Sequence, residues 1–403
     1  MASVRPGAIA VVSLAAAVLG GVIALTGART AGWVGDAPAT TTVVVANGST
    51  VAAATAPPSA RPLTGNGFDP AAIYANRSAG VVTIYSFFGS DGSRASQGSG
   101  FVVSADGHIL TNSHVVANAA ETGIAAQGAT KLYVEFTDGD RVEGKVVGWD
   151  IFDDVGLVQV DPKDHAVAPI PLGDSSAVAV GEPVAAIGSP FGNQTSLAVG
   201  VISATGRSIG SITSRYDVAD AIQIDAPINK GNSGGPLFDA RGTVIGINAQ
   251  INSESGTAEG VGFAIPINAA KRSMEQLISK GKVAYAFVGV SAEDVTPSIA
   301  QRFGYATRRG ALLARVEAGT PAAKAGLKGS TRSERFNGAN VSVGGDVIVA
   351  IDGRKVSSAE DLIRIVSDRL LPGQTAAFTV LRNGTKRLSI PVTLGERSAT
   401  PSP

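Results

Sequence analysis

A single serine stands among glycines in Gly231-Asn232-Ser233-Gly234-Gly235-Pro236-Leu237, just ahead of an apolar strand. A serine hydroxyl is a poor nucleophile at neutral pH. It attacks a carbonyl only with a base beside it and N–H donors aimed at the oxyanion that forms. Glycines let the chain take strained turns and expose those N–H groups without Cβ clashes. Alone, the segment reads equally well as an ordinary turn, because turns are full of Gly and Ser. Its partners have to decide.

The base must come from His108, His114 or His165, and all of them precede Ser233. The Gly-x-Ser-x-Gly spelling therefore cannot be an α/β-hydrolase elbow, where histidine follows serine. The order His, Asp, Ser remains open, the order of chymotrypsin-type double barrels. His114 lies in Thr111-Asn112-Ser113-His114-Val115-Val116, after an apolar strand over 107–110. The acid comes from Asp150, Asp153 and Asp154. Asp154 directly precedes the strand-like run Val155–Val160, which would fix its position, whereas Asp150 and Asp153 read as solvated loop charges. His108 reads as a surface or packing residue at a turn, and His165 as an exposed loop residue. Lys230, three before Ser233, reads as a surface cation rather than the base of a Ser–Lys dyad.

The blocks Thr111–Val116, Asp154–Leu157 and Gly231–Leu237, in this order, resemble those of the HtrA (Deg) family of serine proteases. The likeness extends over residues 70–396. Carried over, it implies His114 as base, Asp154 as orienting acid and Ser233 as nucleophile. The N–H groups of Gly231 and Ser233, with Asn232, would form the oxyanion hole. The sequence departs from the family pattern at Ser113, before the histidine, and at Val155-Gly156. In folds of this type the segment before the nucleophile floors the specificity pocket and a later strand walls it. Here these are residues 226–228, with Pro227 and Ile228, and residues 247–250, with Ile247, Asn248 and Ala249. No carboxylate is among them, so Arg or Lys in a substrate would be buried without a partner. Ile228 makes the pocket shallow, and cleavage after Val, Ala or Leu is expected.

Composition narrows the frame. The 403 residues allow two or more domains, and the 33 basic residues balance the 33 acidic ones. Nothing resembles the basic stripe that captures nucleic acid. With no cysteine, neither a thiol nucleophile nor a thiolate metal site is possible. No metal or other cofactor is implied.

Gly7–Gly27 runs 21 residues without a charge, longer than the apolar core of a signal peptide and long enough for a bilayer span. Residues 1–29 thus read as a cytoplasmic tail and transmembrane anchor, with cleavage after a small residue near Gly27–Ala31 as the alternative and the remainder outside the cytoplasm. Residues 30–68, rich in Ala, Thr and Pro, read as a tether. Over 69–283 many short β-type runs alternate with Gly, Asp and Ser turns, the signature of an all-β barrel or sandwich. A helix is expected over Ile267–Lys280.

Residues 284–397 form another unit, and 398–403 a tail. Strands are expected over Gly310–Val316, 345–352, Thr375–Arg382 and Lys386–Thr393, with helices over 321–327 and 358–370. Residues 318–327 and 345–353 resemble a PDZ domain of the HtrA type, with a longer connection at 328–343. Such domains bind peptide C-termini by strand addition. The resemblance implies a carboxylate loop at Phe287, Val288, Gly289 and Val290, with helix 359–369 as the opposite wall. The expectation is a mainly β chain: a chymotrypsin-like double barrel, then an α+β PDZ domain, behind a transmembrane helix. It would act as a serine endopeptidase on unfolded or damaged proteins and assemble as a homotrimer or larger. A catalytically silent scaffold with the same fold is the rival reading.

Overall fold

The structure, a computed structural model, describes residues 67–89, 93–118, 126–189, 195–214, 216–229, 231–249 and 261–397. The Gly7–Gly27 span, the tether up to residue 66, Lys230, Gln250 and the tail from 398 lie outside them. Among the described residues no helix is long and apolar enough to cross a membrane.

The first barrel is built from β1 (Val81–Phe88), β2 (Arg94–Val102), β3 (His108–Thr111), β4 (Lys131–Glu135), β5 (Arg141–Asp150) and β6 (Val155–Val160). It closes in the order β1-β2-β3-β6-β5-β4, all antiparallel. Closure removes the free edges that would otherwise invite aggregation. The second barrel repeats the order as β10-β11-β12-β9-β8-β7. Its strands are β7 (Pro183–Gly188), β8 (Ser196–Ile209), β9 (Val218–Ile224), β10 (Pro236–Phe238), β11 (Val244–Ala249) and β12 (Gly262–Pro266).

The two barrels share one apolar seam. Phe101, Leu110 and Leu157 of the first meet Ile187, Phe238 and Ile247 of the second, all essentially without exposure. Helix α1 (Pro70–Arg77) is capped by the Asp69 carboxylate, which accepts the Ala72 N–H. Between β3 and the loop to β4 lies the single turn α2 (Ser113–Val116). Helix α3 (Ile267–Lys280) matches the expected span. It lays Ile267, Ala270 and Leu277 onto the seam and stops at Gly281, whose φ of +71° suits a residue without Cβ.

The C-terminal unit is a sheet of β14 (Val290–Val295), β15 (Gly310–Val316), β18 (Val347–Ile351), β20 (Thr375–Arg382) and β21 (Lys386–Thr393), in that order. A short strand, β19 (Arg354–Lys355), pairs with β18, and β13 (Ala286–Phe287) pairs with β22 (Gly395–Glu396). Helices α4 (Pro297–Phe303), α5 (Pro321–Ala325) and α6 (Ala359–Arg369) complete it. Leu362, Ile365 and Val366 of α6 are core, while Ile363 is exposed. The long connection after residue 328 is a hairpin, β16 (Arg332–Phe336) with β17 (Ala339–Val343). It is tied to β14 through Ser342, whose N–H and hydroxyl both donate to Glu293.

Candidate active site

His114 and Asp154 are brought together by β3 and β6, which pair Thr111 with Gly156. Val115 and Val116 anchor the short helix that carries His114 in the first barrel's core. Gly156 gives that helix room, since a Cβ there would lie 2.7 Å from Val116 Cγ2 and 2.8 Å from Asn112 O. Asp154 sits at φ +51°, a left-handed conformation that Asp tolerates better than most residues. Its carbonyl accepts from Asn112 Nδ2 (2.9 Å) and from the Ser113 N–H (3.2 Å).

The side chains then meet. Asp154 Oδ2 lies 2.8 Å from His114 Nδ1. Asp154 Oδ1 accepts the Ser113 hydroxyl at 2.7 Å and the His114 N–H at 3.1 Å. Burial pushes the His114 pKa down most strongly. The charge and hydrogen bond of Asp154 together outweigh it, and the net shift is upward. The arrangement fixes Nδ1 as the proton-bearing nitrogen and leaves Nε2 as the basic one.

Ser233 is buried on the loop entering β10, and among the described residues its Oγ has no hydrogen-bond partner, His114 included. Gly231 at φ +107° and Gly234 at φ +85° shape the loop. The Asn232 N–H donates to Asn229 O at 3.0 Å. Of the three N–H groups expected at an oxyanion hole, that of Asn232 is thus engaged inside the turn. The Gly234 and Gly235 N–H groups are likewise engaged, by Asn248 O (2.9 Å) and Asn232 O (3.0 Å).

The residues expected to line a specificity pocket are packed rather than open, Pro227 excepted. Ile228 belongs to the core of the second barrel with Ala226 and Leu237. Ile247 and Ala249 face the inter-barrel seam, and Asn248 Nδ2 donates to Pro236 O at 3.2 Å. Pro227 is exposed. In the PDZ-like loop, Val288 is buried, and its carbonyl accepts the Ala322 N–H at 2.9 Å. Gly289 has φ +84°, and a Cβ there would lie 2.3 Å from Thr320 Cβ. Phe287 and Val290 are half-buried at the ends of β13 and β14.

Two expectations fail. Asp150 and Asp153 are not solvated but buried. The Tyr285 hydroxyl lies between them, 2.5 Å from Asp150 Oδ2 and 2.7 Å from Asp153 Oδ2. Ser273 Oγ also donates to Asp150 Oδ2 (2.7 Å), and Arg272 bridges Asp153 Oδ2 (3.0 Å) to Asp368 Oδ1 (2.9 Å) on α6. The carboxylates immediately before Asp154 therefore belong to the joint between the barrels and the C-terminal unit. His165 is not a free loop residue. It stacks on Phe136 at 3.8 Å between centroids and bonds Asp138 at 2.9 Å. His108 fits the packing reading, with Nδ1 3.0 Å from Ser104 Oγ.

Burial, and then the neighbouring Asp153, push the Asp150 pKa up from 3.8 to about 6. A carboxyl raised on folding stabilises the fold fully below its unfolded pKa. That contribution is lost as pH rises through the folded value. Asp150→Asn should therefore flatten the stability profile. The wild-type Tm falls relative to the variant's between about pH 4 and 6, the interval from the unfolded to the folded pKa. Equal slopes in thermal melts across that range would exclude the buried carboxyl as the cause.

Sequence reasoning takes Ser113 only as a departure from the family pattern that touches no triad atom, which its hydroxyl bond to Asp154 Oδ1 corrects, and does not single out Ser99. Ser113 supplies a hydroxyl to the acid, and its adjacency to His114 was the available signal. Ser99, within Gly98-Ser99-Gly100, holds the serine loop, and its glycine neighbours were the signal there.

Comparisons with known proteins agree with this geometry. The trypsin-like peptidase domain family matches residues 98–247, and the PDZ domain family matches residues 286–394. A probable periplasmic serine endoprotease, DegP-like, from Brucella suis biovar 1 (strain 1330) is 41% identical over 286 residues, 71% of this chain and 50% of that protein. The DegP-like protein of Hahella chejuensis (strain KCTC 2396) is 40% identical over 304 residues, 75% of this chain and 58% of that one. The chain thus spans about half the length of the curated relatives it matches. Among solved structures, an HtrA-type protease, AlgW, with a tripeptide superposes with a TM-score of 0.66 at 34% identity. That match covers 83% of this chain and 98% of the other.

Proposed function

The chain belongs to the HtrA-type family of serine proteases, and on that premise we propose that it is a serine endopeptidase acting on unfolded or damaged polypeptides outside the cytoplasm. One observation carries the reading: the bond of His114 Nδ1 to Asp154 Oδ2 at 2.8 Å, which leaves Nε2 basic. Ser233 is the nucleophile in this proposal. His114 takes its proton and returns it to the leaving amine. Asp154 holds the tautomer and stabilises the charged imidazole, and the N–H groups of Gly231 and Ser233 bind the oxyanion. The Ser233–His114 bond forms on substrate binding, as catalytic hydrogen bonds that are loose without ligand often tighten in the complex.

The test has two parts. A fluorophosphonate labels Ser233 in the wild type and not in Ser233→Ala. A casein digest read by mass spectrometry is expected to show cuts after Val, Ala or Leu, since residues 226–228 and 247–249 hold no carboxylate to pair a buried Arg or Lys. Cuts mainly after Arg or Lys would remove the pocket assignment. Absence of both labelling and cleavage, with an activating peptide present, would establish the silent scaffold instead.

A pH limb follows from His114. Since its pKa is raised, activity climbs with pH through a midpoint above about 6.5 and then levels off. A rate that is flat down to about pH 4 excludes histidine as the base.

The loop Phe287–Val290 is proposed to capture a free peptide carboxylate, with the peptide adding to the open edge of β14 opposite α6. Amidating the terminus of an apolar peptide should cost most of its affinity by calorimetry, since the charge-assisted bonds need the carboxylate. Gly289→Val should weaken binding as well, because its side chain would collide with Thr320. Equal affinity of free and amidated peptides would rule out this loop.

The uncharged run Gly7–Gly27 supports a single-pass anchor, and release of the full chain by alkaline carbonate would contradict it. A homotrimer or larger assembly is proposed from the family alone, and a monomer mass by light scattering would contradict that.

A further inference from the structure

Ser99 lies in β2, in the first barrel, and is wholly buried. Each of its polar groups is engaged, and two of them reach the serine loop of the second barrel. Its N–H donates to Ser233 O at 2.9 Å. Its hydroxyl donates to Gly231 O and accepts the Ser189 N–H at 2.8 Å. Its carbonyl accepts the Thr111 hydroxyl at 2.6 Å. Glycines permit this approach. A Cβ at Gly188 would lie 2.6 Å from Asn232 Cα and 3.1 Å from Ser99 Oγ, and one at Gly234 would lie 2.2 Å from Ser99 O.

The peptide between Gly231 and Asn232 is thereby held at both ends. Its carbonyl is gripped by Ser99 Oγ, and its N–H by Asn229 O at 3.0 Å. Gly231 sits at φ +107°, and glycine has little preference of its own for one backbone state over another. The restraint must come from outside the residue. Without the hydroxyl, the peptide can turn its carbonyl away and carry the neighbouring N–H groups with it.

We infer that Ser99 is a positioning residue, whose hydroxyl locks the Gly231–Asn232 peptide so that the N–H groups of Gly231 and Ser233 converge on the oxyanion. The inference rests on the serine endopeptidase reading. It adds that the first barrel supplies part of the order of the second barrel's oxyanion hole. Ser99 itself touches neither substrate nor the reacting atoms.

The experiment compares the full chain and Ser99→Ala on a chromogenic peptide and on a peptide boronate, whose tetrahedral adduct with Ser233 occupies the oxyanion site. Removing an oxyanion donor outright costs about 10²–10³ in kcat. Misplacing the donors should cost about 10- to 100-fold. Boronate affinity should fall by the same factor, with KM changed less than about twofold and the midpoint of the acid limb unmoved. A kcat within about twofold of wild type, whatever the Tm does, makes Ser99 a structural tie and overturns the inference. So does a lower kcat with unchanged boronate affinity. Should Ser99→Ala not fold, Ser99→Cys carries the test. Its thiol is a weak donor, so a smaller parallel loss is expected and full activity overturns the inference. A wild-type chain that neither cleaves nor takes the fluorophosphonate removes the endopeptidase reading, and this inference with it.

Discussion

Asp154→Asn is expected to lower kcat by about four orders of magnitude while leaving the fold intact. The reason lies in what each carboxylate oxygen receives. Oδ1 takes the Ser113 hydroxyl and the His114 N–H and lies 3.1 Å from Nδ1, while Oδ2 makes the shorter ring bond, at 2.8 Å. An asparagine has one oxygen for these two places. It keeps that oxygen where two donors converge, because the His114 N–H cannot turn away. Its NH₂ group then takes the shorter place at Nδ1, which favours Nδ1 as the acceptor and moves the ring proton to Nε2. That tautomer cannot take a proton from Ser233. Steady-state kinetics on a peptide substrate reads the loss, with the thermal melt as control. Asp153→Asn should be mild by comparison, since Asp153 Oδ2 serves Tyr285 and Arg272 rather than the imidazole. Should Asp153→Asn prove crippling while Asp154→Asn stays within tenfold of wild type, the acid has been misassigned.

That contrast between neighbouring aspartates marks where sequence reading stopped. Asp154 was legible because it abuts Val155–Val160, an apolar run whose span coincides with β6. A strand of known direction fixes the residue at its end. Asp150, at the end of β5, and Asp153 carry the same side chain, and local sequence assigns both to solvent. Their burial depends on Tyr285 and on Arg272, residues more than a hundred positions away. No local rule contains that information. Ser99 was hidden for the same reason, because its partners Ser189, Gly231 and Ser233 lie in the other barrel. Helix α3 and strands β15, β20 and β21 were placed well because periodicity and their bounding turns are local signals. Helix α4 was missed. Its Thr296 cap before Pro297 is a legible start signal, since the Thr296 hydroxyl accepts the Ile299 N–H, but seven residues give little periodicity to read. The hairpin at 332–343 was read only as a longer connection, although β17 alternates Ala339, Val341 and Val343 with Asn340 and Ser342 and buries both valines; three apolar positions beside the mostly charged β16 are a short signal.

The close fit between the barrels leads to an expected result at Gly234, where alanine should stop catalysis by more than about 10³-fold. Two costs act there and can be separated inside this protein. Gly281, at the end of α3, has φ +71° and nothing within 4 Å of a notional Cβ. Alanine at Gly281 therefore meets only the left-handed backbone penalty, on the order of 1–2 kcal/mol, and activity should be unchanged. Gly234 has a similar φ of +85°, but its Cβ would lie 2.2 Å from Ser99 O and 2.4 Å from Thr111 Oγ1. Ser99 O is backbone within a barrel strand, and Thr111 Oγ1 is already bonded to it at 2.6 Å, so neither can yield cheaply. Relief requires the serine loop to withdraw from the first barrel. Withdrawal stretches the bond from the Ser99 N–H to Ser233 O and carries Ser233 away from the strand that leads to His114. A displacement of about 1 Å at reacting groups is enough to cost about 10² in rate, and here base and oxyanion donors shift together. Thermal melts of the two variants read the contact cost as the excess destabilisation of Gly234→Ala over Gly281→Ala. The fluorophosphonate labelling rate of Ser233 reads the catalytic cost. Wild-type labelling in a folded Gly234→Ala chain would mean that the loop can retreat without harm. The seating of Ser233 against the first barrel would then not be what its reactivity depends on.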